Sequence, residues 1–118
     1  MKTIPEQLVD IYENYEWWHK TRMTHKDSIQ YHKSRYENGD IQVYEEYGEV
    51  LGYYERYFTG DTCILYNVYV KKDYRRGEVF KQLKKLFFLT LPLHITHIEG
   101  EKQKLGGKIM KALITKRG

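Results

Sequence analysis

The chain has a single cysteine, Cys63. No disulfide framework can form within it, which fits a reducing compartment, and the cytoplasm is the expected location. The N-terminus has no apolar h-region, and no stretch approaches the roughly 20 apolar residues of a membrane span, so no membrane partner is expected. There is no P-loop, no dinucleotide-binding glycine fingerprint and no zinc-finger spacing. His94 and His97 are three residues apart. On a strand such residues face opposite sides, and no cysteine or carboxylate completes a ligand set, so no metal is expected. Cys63 has no partner motif for nucleophilic catalysis and reads as a buried, inert thiol. Repeats, low-complexity segments and linkers are also missing. At 118 residues the chain reads as one domain, 1–118, able to build a core without metals or disulfides.

What the chain does have is tyrosine, twelve of them, and an uneven distribution of charge. Residues 1–70 carry seven basic and twelve acidic side chains, whereas residues 71–118 carry thirteen and four. An acidic front and a basic back imply two surfaces with different partners. The basic part suits a phosphate-bearing cofactor, nucleic acid, or solubility alone.

Taken in order, Thr3 and Glu6 have capping-box spacing and Pro5 fits a first helical turn, so a helix begins there. Leu8, Ile11, Tyr12, Tyr15 and Trp18 mark its apolar face. Thr24 to Asp27 is a second start, for a helix carrying Ile29, His32 and Tyr36 that stops at Asn38-Gly39. Three strands follow, over 41–45, 50–58 and 62–70, joined by tight turns at Tyr47-Gly48-Glu49 and Thr59-Gly60-Asp61; this is an antiparallel meander. A helix over 78–88 leads to a strand over 93–98, which is able to pair parallel with 62–70. Residues 101–114 have helical spacing weakened by Gly106-Gly107.

Residues 62–88 organise the rest. The strand 62–70 is rich in β-branched and aromatic residues. Regular alternation puts Ile64, Tyr66, Val68 and Val70 on one face and Cys63, Leu65, Asn67 and Tyr69 on the other. Both sets are mostly apolar, so the strand is central and covered on both sides. Lys71-Lys72-Asp73-Tyr74-Arg75-Arg76-Gly77 follows, and then Val79, Phe80, Leu83, Leu86 and Phe87 recur at helical spacing. The first turn of a helix leaves backbone N–H groups without partners and carries partial positive charge. A glycine allows close approach to the backbone, and Lys71, Lys72, Arg75 and Arg76 add full charges. Such a turn suits a pyrophosphate; the plainer alternative is a solvated basic loop.

The order helix, helix, three strands, basic glycine turn, helix, strand, helix resembles the GCN5-related N-acetyltransferase (GNAT) fold. Glu49-Val50-Leu51-Gly52-Tyr53-Tyr54-Glu55 is similar to that family's third strand. Asn67-Val68-Tyr69-Val70-Lys71-Lys72-Asp73-Tyr74-Arg75-Arg76-Gly77 resembles its fourth strand and the start of its cofactor loop, where a V-x-P-x-Y-R-G phrase enters the pyrophosphate turn. Phe80, Leu83 and Leu86 match apolar positions of the next helix. The departures are specific. The loop is one residue short of the family's Arg/Gln-x-x-Gly-x-Gly/Ala register, Glu78 brings a negative charge, and bulky Phe80 stands near the second small position. The family's first strand is absent or reduced, its last two strands are missing, and Ile109 and Met110 stand where a tyrosine is usual. The resemblance therefore implies an α/β (α+β) GNAT-like mixed sheet in a small, trimmed form. Such forms occur in phage and mobile-element genomes, some without demonstrated catalysis.

The resemblance implies acetyl-CoA as cosubstrate and acetyl transfer to an amine, on a small molecule or on a protein lysine or N-terminus. Backbone groups of Val68 and Val70 would pair with the pantetheine arm in a gap between strands 62–70 and 93–98. Arg75 and the amides of Arg76, Gly77, Glu78, Val79 and Phe80 would hold the pyrophosphate, and an N–H near Val68 the oxyanion. The acceptor amine must lose a proton, and no base stands out. Glu55, His94 and, as a relay, Tyr66 are the catalytic candidates; a surface Glu, a structural His and a core Tyr are the alternatives. Trp17, Trp18 and His19, with Glu13 and Glu16, would suit a cationic amine. Two other readings stay open. One is a catalytically inactive GNAT-fold protein that binds a protein partner through its tyrosine-rich acidic half. The other is a nucleic-acid-binding module using Lys81, Lys84, Lys85, Lys102, Lys104, Lys108, Lys111, Lys116 and Arg117.

Overall fold

A computed structural model describes residues 2–14, 23–75 and 77–100, with Tyr66 by its backbone alone. Helix α1 (Ile4–Glu13) starts as the capping box requires: Glu6 N–H donates to Thr3 Oγ1 at 3.2 Å and Thr3 N–H to Glu6 Oε1 at 2.9 Å. Helix α2 (His25–Glu37) is capped by Thr24, whose Oγ1 accepts from the Asp27 N–H at 3.1 Å. It ends at Asn38, and Gly39 takes the left-handed φ of +83° that stops it.

Strands β1 (Ile41–Glu46), β2 (Glu49–Thr59) and β3 (Thr62–Val70) form the expected meander. Tyr47 and Gly48, between β1 and β2, both have positive φ, 54° and 83°, the backbone that a two-residue hairpin turn demands. Helix α3 (Glu78–Leu89) then crosses over, and β4 (His97–Gly100) pairs parallel with β3. The sheet among the described residues is mixed, in the order β1-β2-β3-β4.

Strand β4 begins later than the sequence pattern predicts. Residues 93–98 are not one strand: the Ile95 N–H closes a turn onto the Pro92 carbonyl at 3.1 Å, and β4 opens only at His97. The buried isoleucines here, Ile95 and Ile98, are three apart, a spacing no regular strand can bury on one face. The Asp61 carbonyl marks the start of pairing, accepting from the Thr96 and His97 N–H groups at 2.9 and 3.2 Å.

The sheet separates two cores. On one face, α3 lays Val79, Leu83 and Phe87 against Leu51, Tyr54, Cys63, Leu65, Val68 and Val70. On the other, α1 lays Leu8, Ile11 and Tyr12 against Ile41, Val50, Tyr53 and Tyr69. Gly52 lets α3 approach closely; a Cβ there would sit 3.0 Å from both the Tyr69 carbonyl oxygen and Val79 Cγ1.

The regular alternation expected of β3 is wrong beyond Leu65. Glu55 pairs with Asn67 and Arg56 with Leu65, so Tyr66 has no residue opposite it. This bulge reverses the parity of everything after it. Val68 and Val70 consequently join Cys63 and Leu65 beneath α3, while Asn67 and Tyr69 turn to the α1/α2 face.

Candidate functional site

The bulge at Tyr66 follows directly on the β3–β4 pairs of the described residues. Among the described residues β3 pairs with β4 over Thr62–Leu65, and Leu65 is opposite Gly100, the last residue described. Beyond Leu65, β3 continues to Val70. The Lys71 N–H donates to the Leu51 carbonyl at 2.9 Å, which makes Gly52↔Val70 and Tyr54↔Val68 non-hydrogen-bonded pairs. The N–H and C=O of Val68 therefore point away from β2.

The chain then turns through a short 3₁₀ segment, Lys72–Tyr74. Arg75 folds back so that its Nε donates to the Val70 carbonyl at 2.9 Å, and Lys71 Nζ pairs with Glu49 at 2.9 Å. Gly77 is the N-cap of α3 with φ +104°, a conformation that disfavours any side chain, and a Cβ there would meet nothing within 4 Å. The bond from Lys81 N–H to the Gly77 carbonyl, 2.9 Å, begins the helical ladder, so the amides of Glu78, Val79 and Phe80 precede it. Neither side chain that threatened to fill this corner does so from a fixed contact there. Glu78 Oε1 accepts from Gln82 Nε2 one turn along the helix at 3.2 Å, and Phe80 packs against the α3-side core.

A cavity of about 450 Å³ adjoins the loop, between the end of α1 and residues 70–75; Ile11, Asn14, Val70, Lys72, Tyr74 and Arg75 are on its wall. A second, of about 370 Å³, shares Asp10, Glu49 and Lys71 with it and reaches the β1–β2 turn. The structure thus brings Val68, Val70, Arg75, Gly77, Glu78, Val79 and Phe80 to one strand end, loop and helix start. Val79 is buried against Gly52, so it can offer its backbone alone. Arg76 lies outside the described residues, as does the side chain of Tyr66.

The catalytic candidates are not gathered in the same way. Glu55 is buried on the α2 side, and both its oxygens are engaged. Oε2 accepts from Tyr31 Oη at 2.5 Å and Arg35 Nε at 2.8 Å; Oε1 accepts from Asn67 Nδ2 at 2.9 Å. Asn67 Oδ1 in turn accepts from Tyr69 Oη at 2.9 Å. His94 is exposed and sits in the turn before β4, not on a strand. Glu13 faces His25, whose Nδ1 lies 2.9 Å from its carboxylate. Trp17, Trp18, His19 and Glu16 fall outside the described residues, as do 101–114 and six of the nine cations behind the nucleic-acid reading. Burial raises the Cys63 thiol to about 11, as suits an inert side chain. Among the described residues no three His, Cys, Asp or Glu side chains converge to hold a metal, and no helix is long and apolar enough to cross a membrane.

Sequence reasoning missed the Tyr31–Arg35–Glu55–Asn67 network. Its one visible trace is Asn67, a polar amide inside an otherwise strand-forming apolar and aromatic run.

The mixed sheet with its parallel crossover and glycine-capped helix matches the GNAT acetyltransferase fold, and solved structures agree. Neither a protein-family model nor a curated protein matches the sequence significantly. By structure the chain is similar to diaminobutyrate acetyltransferase from Paenibacillus lautus, solved with its substrate and coenzyme A. The two superpose with a TM-score of 0.64 over 95% of this chain and 67% of that one, at 14% identity. It is also similar to ribosomal-protein-alanine N-acetyltransferase from Brucella melitensis: TM-score 0.61, 98% and 75% of the two chains, 22% identity. A transcriptional regulator from Bacillus halodurans C-125 gives 0.68 over 94% and 85%, at 15% identity. This chain is therefore GNAT-like in fold.

Proposed function

We propose that this protein binds acetyl-CoA and transfers the acetyl group to a primary amine. The observation that carries the reading is the end of β3: the Val68 N–H and C=O point away from β2, and the strand leads through a basic loop into the glycine-capped start of α3. The complexes of structural neighbours with coenzyme A support it, since the fold is shared.

The residues present fit such a ligand. Gly77 leaves open space where any other residue would place a Cβ. The amides of residues 77–80 and the cations Lys72 and Arg75 supply diphosphate-binding groups at one helix start. Backbone groups of Val68 and Val70 line the path of an extended amide-bearing arm. Acetyl-CoA would supply the thioester carbonyl: an amine adds to it, a C–N bond replaces the C–S bond, and the thiolate leaves. The Val68 N–H would hold the carbonyl oxygen as it gains charge. The proton relay proposed from the sequence is Tyr66. Glu55, with both oxygens occupied, acts through its neighbours, and His94 serves at most as an outer proton acceptor.

Titration calorimetry of the full chain with acetyl-CoA tests this. A dissociation constant on the order of 1 µM, about −8 kcal/mol, is expected. Gly77→Trp, which strains the N-cap and fills the open space before α3, should abolish it. No heat from the wild-type chain at millimolar acetyl-CoA overturns the reading.

A further inference from the structure

We propose that the Asn67–Glu55 contact is the clamp that creates the bulge of β3, and that Asn67, Glu55 and Arg35 are positioning residues for chemistry at the Val68 amide. The inference rests on the preceding reading for its chemical consequence, but not for its structural content.

The apolar pattern of β3 does not choose between registers. Residues 63–70 are apolar or aromatic at nearly every position, so a strand without the bulge would still bury oily side chains on both faces, and its register would be weakly specified. Asn67 breaks this degeneracy. Without the bulge it would follow Cys63 and Leu65 in parity and enter the core beneath α3, which is aliphatic and aromatic apart from Cys63 and from Arg56, whose Nη groups are already bonded to Phe87 and Thr90. A buried amide left unpartnered is costly. With the bulge, Asn67 reaches the α2 face and is satisfied at both ends, donating to Glu55 Oε1 and accepting from Tyr69 Oη, each at 2.9 Å. Glu55 is itself fixed to a second layer by Arg35 Nε at 2.8 Å and Tyr31 Oη at 2.5 Å, both from α2. Arg35 is steadied in turn by Asp40, 3.4 Å away. Helix, β2 and β3 thus meet at the residue immediately after the bulge.

The consequence follows from parity. A one-residue slip of 67–70 against β2 would turn the Val68 N–H inward to β2 and the Tyr69 N–H outward. It would also carry Val68 and Val70 out of the α3-side core. The clamp therefore selects which amide faces away from β2, at the kind of position where bulges re-aim groups beside active sites. Glu55 on this account touches no substrate.

The test uses Asn67→Leu and the exchange pair Glu55→Gln/Asn67→Asp, which restores one donor and one acceptor across the strands. Thiol release from acetyl-CoA is followed with L-lysine and a free-N-terminus tripeptide as acceptors, calorimetry follows acetyl-CoA binding, and amide NMR follows Val68. Asn67→Leu should lower kcat by roughly 10- to 100-fold, as expected for a misplaced reacting group. The acetyl-CoA dissociation constant should move by less than about threefold, because residues 71–80 are untouched. Cross-strand contacts in that variant should show position 67 and Val68 shifted in register, and the exchange pair should recover both register and kcat. An Asn67→Leu protein that keeps the bulge, or that keeps kcat within about twofold, overturns the proposal. Should that variant not fold, an exchange pair that folds without recovering the Val68 amide position overturns it equally. Wild-type protein that binds no acetyl-CoA defeats the preceding reading; the register measurement still decides the clamp.

Discussion

Glu55 and Arg56 are neighbours in sequence, and both are charged and buried, at 1% and 3% exposure. They nevertheless lie on opposite faces of β2 and are accommodated by different means. Glu55 meets a countercharge and hydrogen-bond donors from two other elements, next to the bulge of β3. Arg56 meets no carboxylate among the described residues. Its guanidinium closes the end of α3, with Nη1 to the Phe87 carbonyl at 3.1 Å and Nη2 to Thr90 Oγ1 at 2.8 Å. It lies 5.1–5.3 Å from the ring centres of Tyr54, Phe58 and Phe87, and its Nε has no hydrogen-bond partner among the described residues. One charge orders a strand beside the proposed site; the other answers the negative end of a helix dipole and seals a core.

The largest effect should come from breaking the first arrangement. Glu55→Ala strands the Arg35 guanidinium, the Asn67 amide and the Tyr31 hydroxyl, and removing one member of a buried ion pair costs about 3–5 kcal/mol. Urea denaturation measures this. The double change Glu55→Gln/Arg35→Met removes both charges together and should cost well under half as much. Equal costs for the single and double changes would mean that the charge pairing is irrelevant to Glu55.

Arg56→Met should be next. It deprives buried carbonyls of a charged donor while retaining apolar volume against the rings, for about 2–3 kcal/mol. Acetyl-CoA affinity should not change, since α3 is attached to the loop at its other end. A loss of affinity greater than the loss of folded protein would erase the division between the two buried charges.

How far the sequence disclosed this depends on which interaction ruled locally. Capping at Thr3 and Thr24, the turn at Tyr47-Gly48 and the helix from Glu78 were legible because each is decided within a few residues. The parallel pairing of β3 with β4 was legible from element order. The start of β4 was not, because Ile95 belongs to a turn that only the Pro92 carbonyl closes. The facing of Val68 and Val70 was not either. Alternation is a rule for regular strands, and the bulge is imposed by Glu55 and α2 from more than ten residues away in sequence. Of the proposed site, the glycine and cations of the loop could be read directly. Asn67 and Arg35 could not, because their importance lies in partners that only folding brings within reach.

The smallest effect expected is one of pH, and it concerns the same α2 face. His32 is buried among the rings of Tyr12, Tyr31 and Tyr53. Its Nδ1 lies 2.7 Å from the Ser28 carbonyl and its Nε2 3.3 Å from Tyr53 Oη. Burial holds its pKa below the ordinary 6.5, outweighing the Ser28 carbonyl and the charges of Glu55 and Glu13, which act the other way. The unfolded chain therefore binds a proton that the folded chain refuses. The contribution of neutral His32 to stability is full above about pH 6.5 and declines as the pH falls from there toward the folded-state pKa. Urea midpoints measured between pH 7.5 and 5 should fall by more in the wild type than in His32→Gln, which cannot charge. Parallel slopes would show that His32 tolerates its proton in place. The α2 face would then resemble the Arg56 side of the sheet, where a buried positive charge is held without a countercharge, more closely than the Glu55 network suggests.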